Sequence, residues 1–433
     1  MPGLLQSVVV KAYWTFAILG ILWAVFIGSL INPTIQRHAL YAHKIQSPFW
    51  HNVSNPEEFG FAKGQVQPFW LDTLDGERLF CWHVLPLDVY LENEYELTTA
   101  DTVGEVVEGL KGTVGEKLWR RDGESRAVVN FHGNAGDMAQ GYRPSTYRSI
   151  SGIPKTHLLT CDYRGYGLST LTNPPHIPTE SGLITDAISL LSYIQHDLAH
   201  PSTRTVLLGQ SLGTAVTAAS ALYFTDPTST ALPDQVTQLA VQASTGKNFK
   251  GFTAIVLVAP FRTLPDLLKT YSIAGLFPIL KPLQSYPRLA NYLTSKIVDR
   301  WPTALRLQSL ISSATSSSTK AHPVHISILH ARNDQDITFR ESEALFAPLQ
   351  SALLAADEGV SATEERRSIH GGERVSRGAF AYRRVEDARG ERVVELEVVR
   401  YGGHNEVVGW SQVGLVVRRA FGRRSVGVGL DVE

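Results

Sequence analysis

Read for the order of apolar and polar positions, the chain falls into a long apolar run, a rhythm of short runs, and a few polar interruptions. The long run is residues 12–31, AYWTFAILGILWAVFIGSLI, and it carries no charge. About 20 apolar residues span a bilayer as a helix, and Tyr13 and Trp14 suit its interface. A cleaved signal peptide has a shorter apolar core and small residues at its cleavage site. This run is long and stops at Asn32-Pro33, which favours an anchor.

Beyond residue 64 the pattern shortens. QPFWLDTLDGERLFCWHVLP (67–86) predicts two strands with Asp75-Gly76 at the turn. AVVNFHG (127–133), HLLTCDYRGYG (157–167), TVLLG (205–209), TAIVLVAP (253–260), VHISILHA (324–331) and VVELEVV (393–399) predict further strands, several leading into glycine-bearing loops. Helical spacing follows Thr179, an expected N-cap, and recurs over 214–223. Strands apolar on both faces, alternating with helices, predict an α/β chain: a mostly parallel central sheet with helices on both faces.

Three stretches break this rhythm. Residues 97–125 are polar and read as a partly helical insertion. Residues 261–322, rich in Leu, Pro and Tyr and closing in SSATSSSTK, read as a cap, or lid. Residues 355–392, of mixed charge and rich in Gly and Arg, read as a flexible surface insertion. The predicted organisation is a tail over 1–11, the anchor over 12–31, a linker over 32–63, a main domain over 64–422 and a tail over 423–433.

Composition adds exclusions. The 40 basic and 41 acidic residues of the 433 nearly cancel, so no broad nucleic-acid or membrane-surface electrostatics is implied. Cys81 and Cys161 read as two buried thiols rather than a disulfide, and settle no redox compartment. No Cys/His cluster has zinc spacing, and neither metal nor cofactor is expected. Asn52-Val53-Ser54 is a glycosylation sequon, usable only if the domain is lumenal.

The candidate chemistry lies in four loops after strands, where ligands of open parallel sheets bind. In GQSLG (209–213), Ser211 follows an apolar strand and precedes a helix, the setting of a nucleophile elbow. A serine hydroxyl needs a base. His404, after Gly402-Gly403 near the last helical stretch, is the candidate, in the chain order Ser, Asp, His. The acid comes from HARNDQDI (330–337): Asp334 is favoured, with Asp336 its rival. An oxyanion hole needs backbone N–H groups, expected from Leu212 and from Asn134 in HGNAG (132–136). His132 is expected to brace that loop.

HGNAG, DYRGYGLS, PTESGLITDA, GQSLG, VAPF, HARNDQDI and GGHN occur in the order found in α/β-hydrolases. The chain resembles the membrane-anchored serine lipases of the α/β-hydrolase domain-containing twelve group, over about residues 60–345 and 393–421 and in its anchor. The resemblance implies the α/β-hydrolase fold and hydrolysis of monoacylglycerols or lysophospholipids, by Ser211, Asp334 and His404 with Leu212 and Asn134 in the oxyanion hole. It also implies an endoplasmic-reticulum membrane protein with a lumenal catalytic domain, whose partners are the bilayer and a lipid ester. Arg332 departs from the family's acidic residue in that loop. Two alternatives stand beside it: a protein depalmitoylase or acyl-thioesterase, and an inactive scaffold on the same fold.

Overall fold

The computed structural model describes residues 2–46, 51–243, 249–273, 275–316, 322–355, 375–377, 380–387 and 390–425. The strands are β1 (Val66–Asp72), β2 (Arg78–Val84), β3 (Val107–Glu108), β4 (Arg126–Phe131), β5 (Thr156–Cys161), β6 (Thr205–Gln210) and β7 (Ala254–Val258). A small hairpin, β8 (Ser272–Ile273) and β9 (Phe277–Pro278), stands apart. The remainder are β10 (Val324–Ala331), β11 (Val375–Arg377), β12 (Phe380–Glu386) and β13 (Arg392–Val399).

Eleven of these strands form one sheet in the order β11-β12-β13-β10-β7-β6-β4-β5-β2-β1-β3. From β13 to β5 every neighbouring pair is parallel; β2 and β12 join antiparallel on either side. The central strands are buried along nearly their whole length, which explains why they read as continuous apolar runs. One face packs under the helices Glu180–His196, Leu212–Thr225, Thr303–Ser316 and Arg340–Ala355. The other packs under Arg143–Ser151 and Ser411–Ser425. Thr179 caps the helix Glu180–His196, its hydroxyl accepting from the Gly182 N–H.

Four expectations are corrected. First, Cys81 and Cys161 are joined as a disulfide. They lie directly opposite each other across the β2–β5 pair, a register 80 residues apart in sequence that apolar patterning does not reveal. Second, the segment 355–392 is not wholly a loose insertion: β11 and β12 extend the sheet beyond β13. An edge hairpin needs little apolar surface, because backbone bonds and cross-strand charge pairs hold it. Here Arg384 donates to Glu395 at 3.0 Å. Residues 356–374 lie outside the described residues.

Third, the stretch expected as a cap divides. Residues 261–300 cover the site, but the helix Thr303–Ser316 puts Leu307, Leu310 and Ile311 into the main core. Fourth, the region after the apolar run is not a linker. The apolar helix α1 (Pro2–Ser29), helical through the stretch expected as a tail, is followed at once by α2 (Pro33–Tyr41). Asn32 caps α2 through its side chain, and Pro33 supplies the first turn. Arg37 and the Tyr41 hydroxyl both donate to Asp299, at 2.9 Å each, fastening α2 to the cap. The span Ser7–Ser29 within α1 is long and apolar enough to cross a membrane.

Candidate active site

β4 and β6 are neighbours, with Phe131 opposite Gly209, so the loops leaving their ends meet. At the end of β6 the chain reverses into a helix within one residue. Ser211 takes φ 52° and ψ −120°, a strained backbone held by its N–H to the Val258 carbonyl at 2.9 Å. The flanking glycines are steric necessities. A Cβ on Gly209 would lie 2.4 Å from the Gly213 carbonyl oxygen, and one on Gly213 would lie 2.0 Å from the Phe131 carbonyl oxygen. The turn thrusts the Ser211 side chain out at the N-terminus of the helix Leu212–Thr225.

His404 comes from the loop after β13. Asn333 Oδ1 accepts from the Gly403 N–H at 3.0 Å, and Gln210 donates to the His404 carbonyl at 3.1 Å. The ring then bridges the site: Ser211 Oγ donates to Nε2 at 3.0 Å, and Nδ1–H donates to Asp334 Oδ2 at 2.8 Å. Burial lowers the His404 pKa, but the hydrogen bond and charge of Asp334, with the charge of Asp336, outweigh it and hold the imidazole above its ordinary range. Burial also opposes the charge of Asp334. Hydrogen bonds from His330 and His404 overcome it and keep the carboxyl well below the usual carboxylate range. Asp334 Oδ1 accepts from the Asp336 and Ile337 N–H groups, at 2.9 Å each, so both oxygens are engaged. The rival carboxylate serves the cap: Asp336 accepts from the Gly275 N–H at 2.8 Å.

Leu212 and Asn134 both line the cavity that contains Ser211 and His404. His132 is fully buried behind the Asn134 loop, donating from Nδ1 to the Gly133 carbonyl at 2.7 Å. Burial, helped by the Arg143 charge, lowers its pKa far enough to leave it neutral, a brace rather than a base.

These loops, in this chain order on this sheet, decide the fold. The chain has the α/β-hydrolase fold. No family model matches it. Among curated proteins, this chain is 25% identical to human Protein ABHD12B over 316 residues, 72% of this chain and 69% of that one. It is 27% identical to the uncharacterized protein YfhR of Salmonella typhi over 222 residues, 51% of this chain and 58% of YfhR. The chain thus spans little more than half the length of that relative. An alpha-beta hydrolase from Vibrio vulnificus superposes with a TM-score of 0.49 at 14% identity, over 88% of this chain and 92% of that one.

The α/β-hydrolase site also contains residues that sequence reasoning missed. Arg143 donates through Nη2 to three successive carbonyls of the Asn134 loop, Gly133, Asn134 and Ala135, at 3.2, 3.1 and 2.8 Å. The guanidinium thus holds the loop through its carbonyl oxygens, while the Ala135 N–H donates to the Tyr41 carbonyl at 3.1 Å. His330 Nε2–H points at both the Ile337 carbonyl and Asp334 Oδ2, at 2.8 and 3.2 Å, while Nδ1 accepts from Ser342 at 2.6 Å. The spacing of His330 from Asp334, four residues inside HARND, was the available signal for it. Arg143 leaves no such mark.

The cavity has a volume of about 720 Å³, within the ordinary range for a small-molecule site. Cap residues Phe261, Leu264, Leu267, Leu268, Tyr271 and Ile279 give it an apolar wall.

Proposed function

We propose that the chain is a membrane-anchored serine hydrolase that cleaves carboxylic esters of single-chain lipids, monoacylglycerols or lysophospholipids, through an acyl-enzyme on Ser211. The observation that carries this reading is the Ser211–His404–Asp334 relay opening into an apolar cavity. His404 takes the Ser211 proton as Oγ attacks the ester carbonyl carbon. The oxyanion forms beside the backbone N–H groups of Leu212 and Asn134. Asp334 holds the imidazole tautomer and offsets the imidazolium charge. As the C–O bond breaks, His404 returns the proton to the departing alcohol. Water, activated by the same imidazole, then releases the fatty acid and restores Ser211.

The apolar span of α1 supports anchoring, and the Cys81–Cys161 disulfide and the exposed Asn52 of the sequon support a lumenal domain. The endoplasmic reticulum is proposed on the resemblance. The test is labelling with a fluorophosphonate followed by a panel of lipid esters and thioesters. Label on Ser211, lost in Ser211→Ala, with turnover of long-chain esters is the expected result. Label at another serine overturns the nucleophile; turnover of acyl-thioesters alone moves the assignment to a thioesterase.

A further inference from the structure

Among the described residues, the last turns of α1 pack against the cap. Leu19 and Leu22 are exposed, like most of the helix before Trp23. Trp23 Nε1–H donates to the Ile279 carbonyl at 3.2 Å. Ile27, one turn on, is 5% exposed and packs with Ile279, Leu280, Leu283 and Ala290 of the cap. Trp23, Ile27 and Leu30 are spaced to share one helix face. Ile27 and Leu30, with Phe26 beside them, line the same cavity as Ser211 and His404.

This fixes where the cavity lies along the apolar span. Ser29, its end, is six residues beyond Trp23, so the cap contact at Ile279 sits roughly 9 Å inside the span. That depth matches the headgroup and acyl boundary, where interfacial apolar groups insert. The neighbouring cap surface suits such a place. Leu276 and Phe277 of the β8–β9 hairpin are 75% and 68% exposed, and Tyr286, with Leu289 and Tyr292 of the helix Pro287–Ser295 that follows it, is exposed too. An apolar patch of this kind marks a surface that water does not cover.

We propose that the Trp23–Ile31 segment is a wall of the reaction cavity as well as an anchor. With the β8–β9 hairpin it forms a side gate through which the acyl chain of a membrane-resident ester enters from one leaflet. The inference rests on the ester reading above and adds to it the entry route and the residues that select chain length: Phe26, Ile27 and Leu30. An acyl chain passing between α1 and the hairpin exchanges lipid neighbours for apolar side chains without crossing water. Long chains therefore gain most from the wall, and short soluble esters least.

The full-length chain in phospholipid nanodiscs tests this in two ways. The first reads the ratio of kcat/KM for an 18-carbon monoacylglycerol to that for a butyrate ester of nitrophenol. Leu30→Trp, which narrows the gate, lowers that ratio about tenfold or more, whereas Leu19→Trp, on the lipid-facing part of α1, leaves it unchanged. An unchanged ratio in Leu30→Trp overturns the wall. The second places an environment-sensitive fluorophore on Phe277→Cys; Cys81 and Cys161 are paired, so the new thiol is the reactive one. Nitroxide-labelled lipids quench that fluorophore if the hairpin sits in the leaflet, and absence of quenching overturns the gate. A parent chain that hydrolyses neither ester defeats the proposed function instead, and the quenching still decides the position of the gate.

Discussion

Asp334 is gripped from both sides, by His404 at 2.8 Å and His330 at 3.2 Å, and this shapes the expected pH behaviour. In the proposed mechanism His404 must be neutral to accept the Ser211 proton. Because the folded environment raises the His404 pKa, activity falls as pH drops through a value above histidine's ordinary 6.5 or so. Asp334→Asn removes the partner that raises it and disturbs the tautomer. We expect kcat to fall by about 10⁴ and the acid limb of kcat/KM to move to lower pH. Asp336→Asn is expected to cost far less in kcat and to shift the limb slightly the same way; pH–rate profiles of the two folded variants check both. Arg143 acts through the loop it clamps. Arg143→Met is expected to lower kcat about 10²-fold with little change in KM, because the oxyanion donors lose their aim while the cavity keeps its walls. Steady-state kinetics with partial recovery in Arg143→Lys separates this from unfolding. That Ser211, Asp334 and His404 would come together was legible because each sits in a local backbone pattern: an elbow, a strand end, a glycine-flanked loop. Arg143 was not, since its role consists of three contacts made by folding and an arginine in RPSTY looks like any surface arginine.

Elements were legible where burial dictated them. The central strands are apolar on both sides because helices cover both faces, and the composition of the sequence reports that directly. Register and edge strands left weaker traces. The Cys81–Cys161 pairing depends on how β2 aligns with β5, and β12 is held by backbone pairing and by Arg384 and Tyr382 on Glu395 rather than by a core. The joint between β4, β6 and the helix after Ser211 is the tightest of all. A methyl on Gly213 would meet the backbone of Phe131, which has no rotamer to yield. Gly213→Ala is therefore expected to destabilise the chain by at least about 3 kcal/mol and to open the strand-turn-helix joint. Thermal unfolding followed by fluorophosphonate labelling measures the two effects, and a stable, fully labelled variant would contradict this account of the elbow.

For the whole molecule, the disulfide and the apolar helix bear on which side of a membrane the domain occupies. Disulfides persist in oxidising compartments and are rare in the cytosol. In sealed microsomes the domain is expected to resist added protease, and non-reducing peptide mapping is expected to recover Cys81 linked to Cys161. Asn52→Gln should remove one glycan. Digestion in sealed vesicles, with both thiols reduced, would place the domain on the cytosolic side and strengthen the thioesterase reading. The sequence announced an apolar helix and a domain; it did not announce that they share a cavity, because the contacts of α2 with residues 296–299 are some 260 positions apart.

That sharing reaches the chemistry itself through one peptide group. The Tyr41 carbonyl accepts both the Ala135 N–H, at 3.1 Å, and the Tyr166 hydroxyl, at 2.8 Å, while Asn134 donates to the Leu40 carbonyl. Most tethered enzymes are modular: the tether is an address, and one address replaces another without touching the machine. Here the proposed address label is stitched into the machine. A chimaera that exchanges everything before residue 46 for a foreign membrane helix is expected to keep a tether while its Asn134 loop is unlatched. Trp23 to Ile45 therefore belong with the loops around Ser211 as much as with the apolar helix.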